Sequence, residues 1–250
     1  MTTAPVLDVE TPDRVVRPSR WPALLAVAGP VLFTLAWLVL GYVSPGYTFF
    51  GHRFSDYSPI SQPISGLGMG VTGPYMNAAF VVTGLMLVAG VVGVFRTIGD
   101  DRRHVLRRAS LALLASAGVG QAMCGVFDLE AITPHMLGFL LAIGGSVVSF
   151  LVAGAYFRSL PGWRRFGTWL LLGSPLTLAL LIAFFLTFQP TADGAEHGIA
   201  GLVQRIGVIE VQAWFVAMGW VAYRRAPVGV LSPAAVGGAR RRRRGLGRPR

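Results

Sequence analysis

Six apolar runs of about 19–25 residues punctuate this 250-residue chain: Trp21–Val43, Pro74–Phe95, Ala109–Phe127, His135–Phe157, Gly167–Phe188 and Ile199–Tyr223. A hydrocarbon layer about 30 Å thick is crossed by about 20 helical residues. Its lack of water requires every backbone N–H and C=O in the crossing to find a partner inside the protein. The expected fold is therefore all-α: a polytopic membrane protein with six transmembrane helices in one bundle (residues 21–223), between an N-terminal tail (1–20) and an Arg-rich tail (224–250). With 53% hydrophobic residues, 13% charged residues and a mean hydropathy of +0.59, the chain falls outside the soluble class. The first run lacks a small-x-small cleavage signal at its far end, so it reads as a retained helix rather than a signal peptide.

An even number of crossings puts both tails on one side, and the charges orient them. All 22 basic residues are arginine. Twenty of the 22 lie in the two tails and in the connectors Arg96–Arg108 and Arg158–Phe166, against Arg53 alone in the opposite loops and Arg205 inside the last run. The positive-inside rule makes both termini cytoplasmic, and Trp and Tyr near the run ends fit interfacial belts. Arg without Lys, beside heavy Ala, Gly and Val usage, suggests a GC-rich bacterial genome and hence a bacterial plasma membrane. The run Arg240–Arg244 is expected to dock on anionic lipid headgroups, at about 1 kcal/mol per Arg. Without aromatic interleaving or a reading domain, that tail is not expected to read nucleic acid. A single cysteine, Cys124, excludes an intrachain disulfide.

Ser44–Gly73 is the longest interruption between runs, and its Phe49, Phe50, Tyr57, Ile60 and Ile64 argue against a disordered loop. It is expected to fold back as a cap or to dip into the interface as a re-entrant piece. Two rows of small residues, Ala112/Ser116/Gly120/Cys124 and Gly145/Ser149/Ala153, recur every four residues and suit close helix approach, although Gly and Ala are abundant throughout.

The last run carries the only acid and base well inside a long apolar stretch, Glu210 and Arg205. A charge at such depth costs about 3 kcal/mol unless it finds a partner, a wet cavity or a proton. Five residues apart they lie about 140° apart around the helix, so each must look to another helix. Asp128, at the end of the third run, is the expected partner of Arg205, which can snorkel toward it. Glu210 has no evident cation and is either protonated or exposed to a cavity.

His52, His135 and His197 fall on the outer side, as do Asp56, Asp128, Glu130, Asp193 and Glu196, in connectors that can converge in a compact bundle. One reading is a zinc-like site with a bound water as nucleophile; no HExxH spacing supports it, and polar residues also collect simply where water is. A second is an outward-facing polar pocket formed by Ser65, Asn77, Gln121, Asp128, His135, Arg205 and Glu210, against which stands a polar clamp that merely fixes the bundle. No cofactor is expected, since haem bundles generally need His on facing spans and only His135 borders one.

Ile64-Ser65-Gly66-Leu67-Gly68, followed by Pro74 and Asn77, resembles the bacterial membrane family catalogued as domain of unknown function 998. That family pairs a Ser-x-Leu-Gly loop with an Asn-bearing helix, and a Gly-x-Phe-Pro-x-Asp stretch with a following His. The matching positions are Ser65, Leu67, Gly68 and Asn77, then Gly125, Phe127 and His135; Asp128 stands where the pattern has Pro, and Glu130 where it has Asp. The resemblance implies six helices and a bacterial membrane, and no established activity.

The favoured function is a plasma-membrane protein, leaning toward non-enzymatic, whose pocket binds a lipid or small molecule or couples to protons through Glu210. The rivals are a metal-dependent membrane hydrolase and a structural or assembly partner. Homo-oligomerisation stays open.

Overall fold

The computed structural model describes residues 19–98, 103–188 and 197–225; Arg240–Arg244, Asp193 and Glu196 lie outside them. Six helical crossings are present: Trp21–Val43, Gly70–Thr97, His104–Val126, Ile132–Ser159, Arg164–Thr187 and Ala200–Arg224. We label the helices α1 (Leu25–Val43), α2 (Gly73–Thr97), α3 (His104–Val126), α4 (Ile132–Phe139), α5 (Gly145–Ser159), α6 (Arg164–Thr187) and α7 (Ala200–Arg224). The fourth crossing is α4 and α5 joined by a π-helical turn, Leu140–Gly144. Several helices begin earlier than the apolar runs, α3 by five residues and α6 by three. Hydropathy does not see a helix that continues past the lipid boundary on Arg and His side chains able to snorkel.

Each crossing packs on its neighbour in sequence, and α7 closes the ring against α1. The first and last crossings meet at one end of the ring: Arg20 Nη1 donates to the Arg225 carbonyl at 3.2 Å, and the rings of Trp21 and Tyr223 lie 5.4 Å apart. Outward-facing Leu35, Val39, Leu172, Ile182 and Ile206 are exposed. A continuous apolar exterior of this kind belongs against acyl chains rather than water.

Close approach depends on small residues. A Cβ on Gly84 would stand 2.6 Å from the Gly118 carbonyl oxygen, and one on Gly118 the same 2.6 Å from that of Gly84, so α2 and α3 touch backbone to backbone here. The small row of α3 faces the fourth crossing: a Cβ on Gly120 would meet the Gly138 carbonyl, and Ser149 Oγ donates to the Leu113 carbonyl at 2.7 Å.

At the end opposite Arg20 and Arg225, the long α1–α2 connector forms a cap. It opens with an antiparallel hairpin, β1 (Tyr47–Phe49) and β2 (His52–Phe54), turned at Phe50 and Gly51 with φ of 45° and 81°, the two-residue loop whose twist suits a hairpin. It then drops into the ring as a 3₁₀ turn, Ile64–Gly68, with all five residues buried. The turn sits among α1, α2 and α7.

Candidate functional site

The cap is latched chiefly to the start of α7. The first N–H groups of a helix have no partner within it; here the Gly201 N–H donates to the Ser61 carbonyl (3.3 Å) and the Leu202 N–H to the Ile60 carbonyl (2.8 Å). One turn deeper, Gln204 Oε1 accepts from the Ile64 N–H at 2.7 Å. Arg205 reaches back toward the cap: its Nη1 donates to the carbonyls of Pro59 at 2.7 Å, Gln62 at 2.9 Å and Gly201 at 2.9 Å. Its Nη2 donates to the Tyr57 hydroxyl. The guanidinium carbon also lies 5.4 Å from the centre of the Trp37 ring and 5.6 Å from that of Tyr57, within the range of cation–π attraction.

The expected Asp128–Arg205 pair is thus not what balances Arg205. Among the described residues its hydrogen bonds go to carbonyl dipoles and a phenol. Asp128 instead shapes its own turn, its Oδ1 accepting from the Glu130 N–H at 3.0 Å. A counter-charge is not required, because the loop folded into the ring supplies two carbonyls and a phenol at once.

Tyr57 is the hinge of this latch, accepting from Arg205 and donating to the Pro63 carbonyl at 3.0 Å. Burial pushes its phenol up to about 12, with the Arg205 charge and hydrogen bond pulling the other way. Tyr47, packed on Phe54 at 4.9 Å between ring centres, is raised as well, first by burial and then by Tyr57.

The buried turn carries Ser65 to His135, the fourth residue of α4. His135 Nδ1 lies 2.7 Å from the Phe127 carbonyl, at the end of α3, and Nε2 lies 2.8 Å from Ser65 Oγ. A carbonyl can only accept, so Nδ1 carries the proton; in the neutral imidazole Nε2 is then the acceptor and the Ser65 hydroxyl the donor. His135 is 3% exposed and Ser65 8%. Asn77 holds the turn from α2, donating from Nδ2 to the Gly68 carbonyl at 3.1 Å. Two glycines of the turn pack closely on side chains: a Cβ on Gly66 would lie 2.8 Å from the Tyr47 ring, and one on Gly68 2.5 Å from Asn77 Oδ1.

Below this pair the ring encloses a cavity of about 50 Å³, lined among others by Ser65, Gln121, Gln204, Gln212, Phe139 and Ile143. Its mixed lining and size suit a few waters. Gln121 Nε2 donates to Thr83 Oγ1 at 2.6 Å, tying α3 to α2 beside the cavity. Phe139, Ala142 and Ile143 bring the π turn and its flank to the wall; such turns are frequent at functional sites. Gln212 faces two ways, since it also lines an open groove of about 680 Å³ between α1 and α7. There its Oε1 accepts from Thr34 Oγ1 at 3.1 Å.

Glu210 belongs to neither space. It is half-buried between α6 and α7, accepting from Thr177 Oγ1 at 2.9 Å and from Trp214 Nε1 at 2.6 Å. The seven residues expected to line one pocket therefore separate. Ser65, His135 and Gln121 gather at or beside the cavity, Asn77 and Arg205 hold the cap, Asp128 shapes a turn, and Glu210 joins two helices. Gln204 and Gln212 complete the cavity's polar lining. Their signal was legible in the sequence as one polar side of the last run, but only the ring shows which side faces inward. Among the described residues no group of three or more His, Cys, Asp or Glu is placed to hold a metal ion, so His52, Asp56, Glu130 and His197 do not join His135 in a metal centre.

No curated protein and no solved structure matches the chain. A family model does, across residues 27–221, described as a protein of unknown function (DUF998). That span runs from α1 to the end of α7 and takes in the buried Ser65 turn, Asn77, His135 and Arg205: the chain belongs to the DUF998 family.

Proposed function

We propose that this multi-pass membrane protein takes a lipid or lipid-like small molecule into the cavity beneath its cap. The observation that carries this reading is a cavity within the ring with three glutamines and a serine on its wall, in a ring whose exterior is apolar. Buried polar side chains at membrane depth are costly and concentrate where something polar is handled. The adjoining groove on the α1–α7 face, sharing Gln212 with the cavity, is a lateral approach for a molecule dissolved in the bilayer. Among the described residues every arginine except Arg53 and Arg205 lies toward the end away from the cap, which supports a cap facing outward from a bacterial plasma membrane with both tails in the cytoplasm. Arg205 then secures the mouth rather than binding the ligand's anionic group, and Glu210, away from the cavity, gives a proton route no support.

Native mass spectrometry of the protein released from gentle detergent tests this. The wild type is expected to retain about one lipid per chain, and the Ala142→Phe variant, which fills the cavity from the fourth crossing, to lose it while keeping its unfolding midpoint. Equal lipid retention by both would assign the lipid to the outer surface and overturn the reading.

A further inference from the structure

The geometry points to Ser65 and His135 as a nucleophile–base pair that hydrolyses an acyl ester of a membrane lipid. This rests on the lipid-cavity reading and adds to it a reaction and a substrate class. Three observations converge. The Ser65 hydroxyl is within hydrogen-bond reach of His135 Nε2 at 2.8 Å. The imidazole is itself oriented through Nδ1 by the Phe127 carbonyl at 2.7 Å. Nucleophile, base and orienting acceptor in series form the arrangement by which a serine is activated, here with a backbone carbonyl in the third role. Third, Gln204 spends its Oε1 on the N–H of Ile64, the residue before Ser65, so its amide N–H₂ is left for the cavity that it and Ser65 both line. An amide donor beside the nucleophile can receive the oxyanion.

The placement selects the substrate. Ser65 sits at the cap end, and the cavity descends from Gln204 to Phe215 on α7, about 16 Å at about 1.5 Å per residue. A lipid ester lies near the membrane surface with its chain directed inward, so an ester carbonyl at Ser65 places the chain along this wall. Phe33, Phe80, Leu87 and Val211 supply the apolar lining. The chain enters by displacing water and shifting side chains next to the π turn.

The chemistry balances with water as the only co-reactant. Ser65 Oγ bonds to the acyl carbon while its proton passes to His135 Nε2, and the carbonyl electron pair moves onto the oxygen facing Gln204. The adduct collapses with cleavage of the bond to the alcohol oxygen, which leaves with the proton from Nε2. Water then attacks the acyl carbon, giving its proton to Nε2, and Ser65 leaves and regains it. The products are a carboxylic acid and an alcohol.

The test uses the full-length protein in mixed micelles, with a fluorophosphonate bearing a long alkyl tail as probe and phosphatidylglycerol and phosphatidylethanolamine as candidate esters. Expected are one adduct per chain mapped to Ser65, none in Ser65→Ala, and labelling slowed on the order of 10²–10⁴-fold in His135→Gln, the range of general-base assistance. Release of fatty acid should follow the same order. Native mass spectrometry and unfolding midpoints are read on every variant. Ser65→Ala is expected to keep its unfolding midpoint, so that lost labelling reports chemistry. Lipid retained in a folded wild type that gives no adduct at Ser65, or labels equally fast in His135→Gln, overturns the hydrolase and leaves the binding reading intact. Labelling at Ser65 with no lipid retained in the cavity upholds the chemistry and overturns the binding reading.

Discussion

Arg205 and Glu210 stand five residues apart on one helix, both ionisable and both inside a crossing, yet the fold treats them differently. Arg205 is 5% exposed and joins the cap to the ring through the carbonyls of Pro59 and Gln62 and the Tyr57 phenol. Glu210 is half-buried and accepts two hydrogen bonds, one from the next helix and one from a turn away on its own. The lesson is that a charge within a membrane need not be matched by an opposite charge. A planar cation with several donors can gather carbonyl dipoles that would otherwise lack partners, and so organise a loop. A carboxylate can only accept, and so ends at whatever hydroxyl and indole lie nearby.

The largest expected effect follows from removing the organiser. Arg205→Leu deprives the cap's Pro59 and Gln62 carbonyls of this donor, each worth about 1–3 kcal/mol, and should cost about 3–5 kcal/mol, read as a lower unfolding midpoint and as faster protease cleavage in the cap. Arg205→Lys should recover only part of this, because one ammonium cannot serve carbonyls and phenol in the same planar arrangement. A lysine variant as stable as the wild type would reduce Arg205 to a point charge. Next, Gln204→Leu strands the Ile64 N–H and should cost about 1–3 kcal/mol while loosening the turn that holds Ser65. Glu210→Gln should fall below about 1 kcal/mol, since the amide keeps an oxygen for Trp214 and a donor for Thr177. A Glu210→Gln loss equal to that of Arg205→Leu would erase the contrast. Near neutral pH no pH dependence is expected from Tyr57. Its phenol is raised on folding from an ordinary 10 to about 12, so the folded state holds the proton more tightly. The stability it lends is complete below pH about 10 and is lost as pH climbs through about 12. Alkaline titration followed by tyrosinate absorbance should show the cap releasing in that window, and Tyr57→Phe should remove that step.

Several features were legible from residues alone. The crossings follow from run length, because a water-free layer imposes one structure on any long apolar segment. Arg205 stood out because an ionisable group there demands explanation, and Ser65, Asn77 and His135 because they lie in short motifs of a recognisable family. The partners were not legible. Ser65 and His135 are 70 residues apart and Arg205 is 146 from Pro59, and no local spacing reports such distances. The Thr177 hydroxyl that meets Glu210 lies 33 residues away, and the break in the fourth crossing escapes hydropathy because a π turn leaves it unchanged.

The latch also dictates an order of assembly. The loop is synthesised between the first two crossings, but the groups that seat it arrive on the last, after a further 130 or so residues have been threaded into the bilayer. Until then a Gly-, Pro- and aromatic-rich segment must wait at the membrane surface with its carbonyls wet. Ribosomes stalled before α7 should therefore hold five inserted helices beneath an open mouth, and arrival of the final helix shuts it.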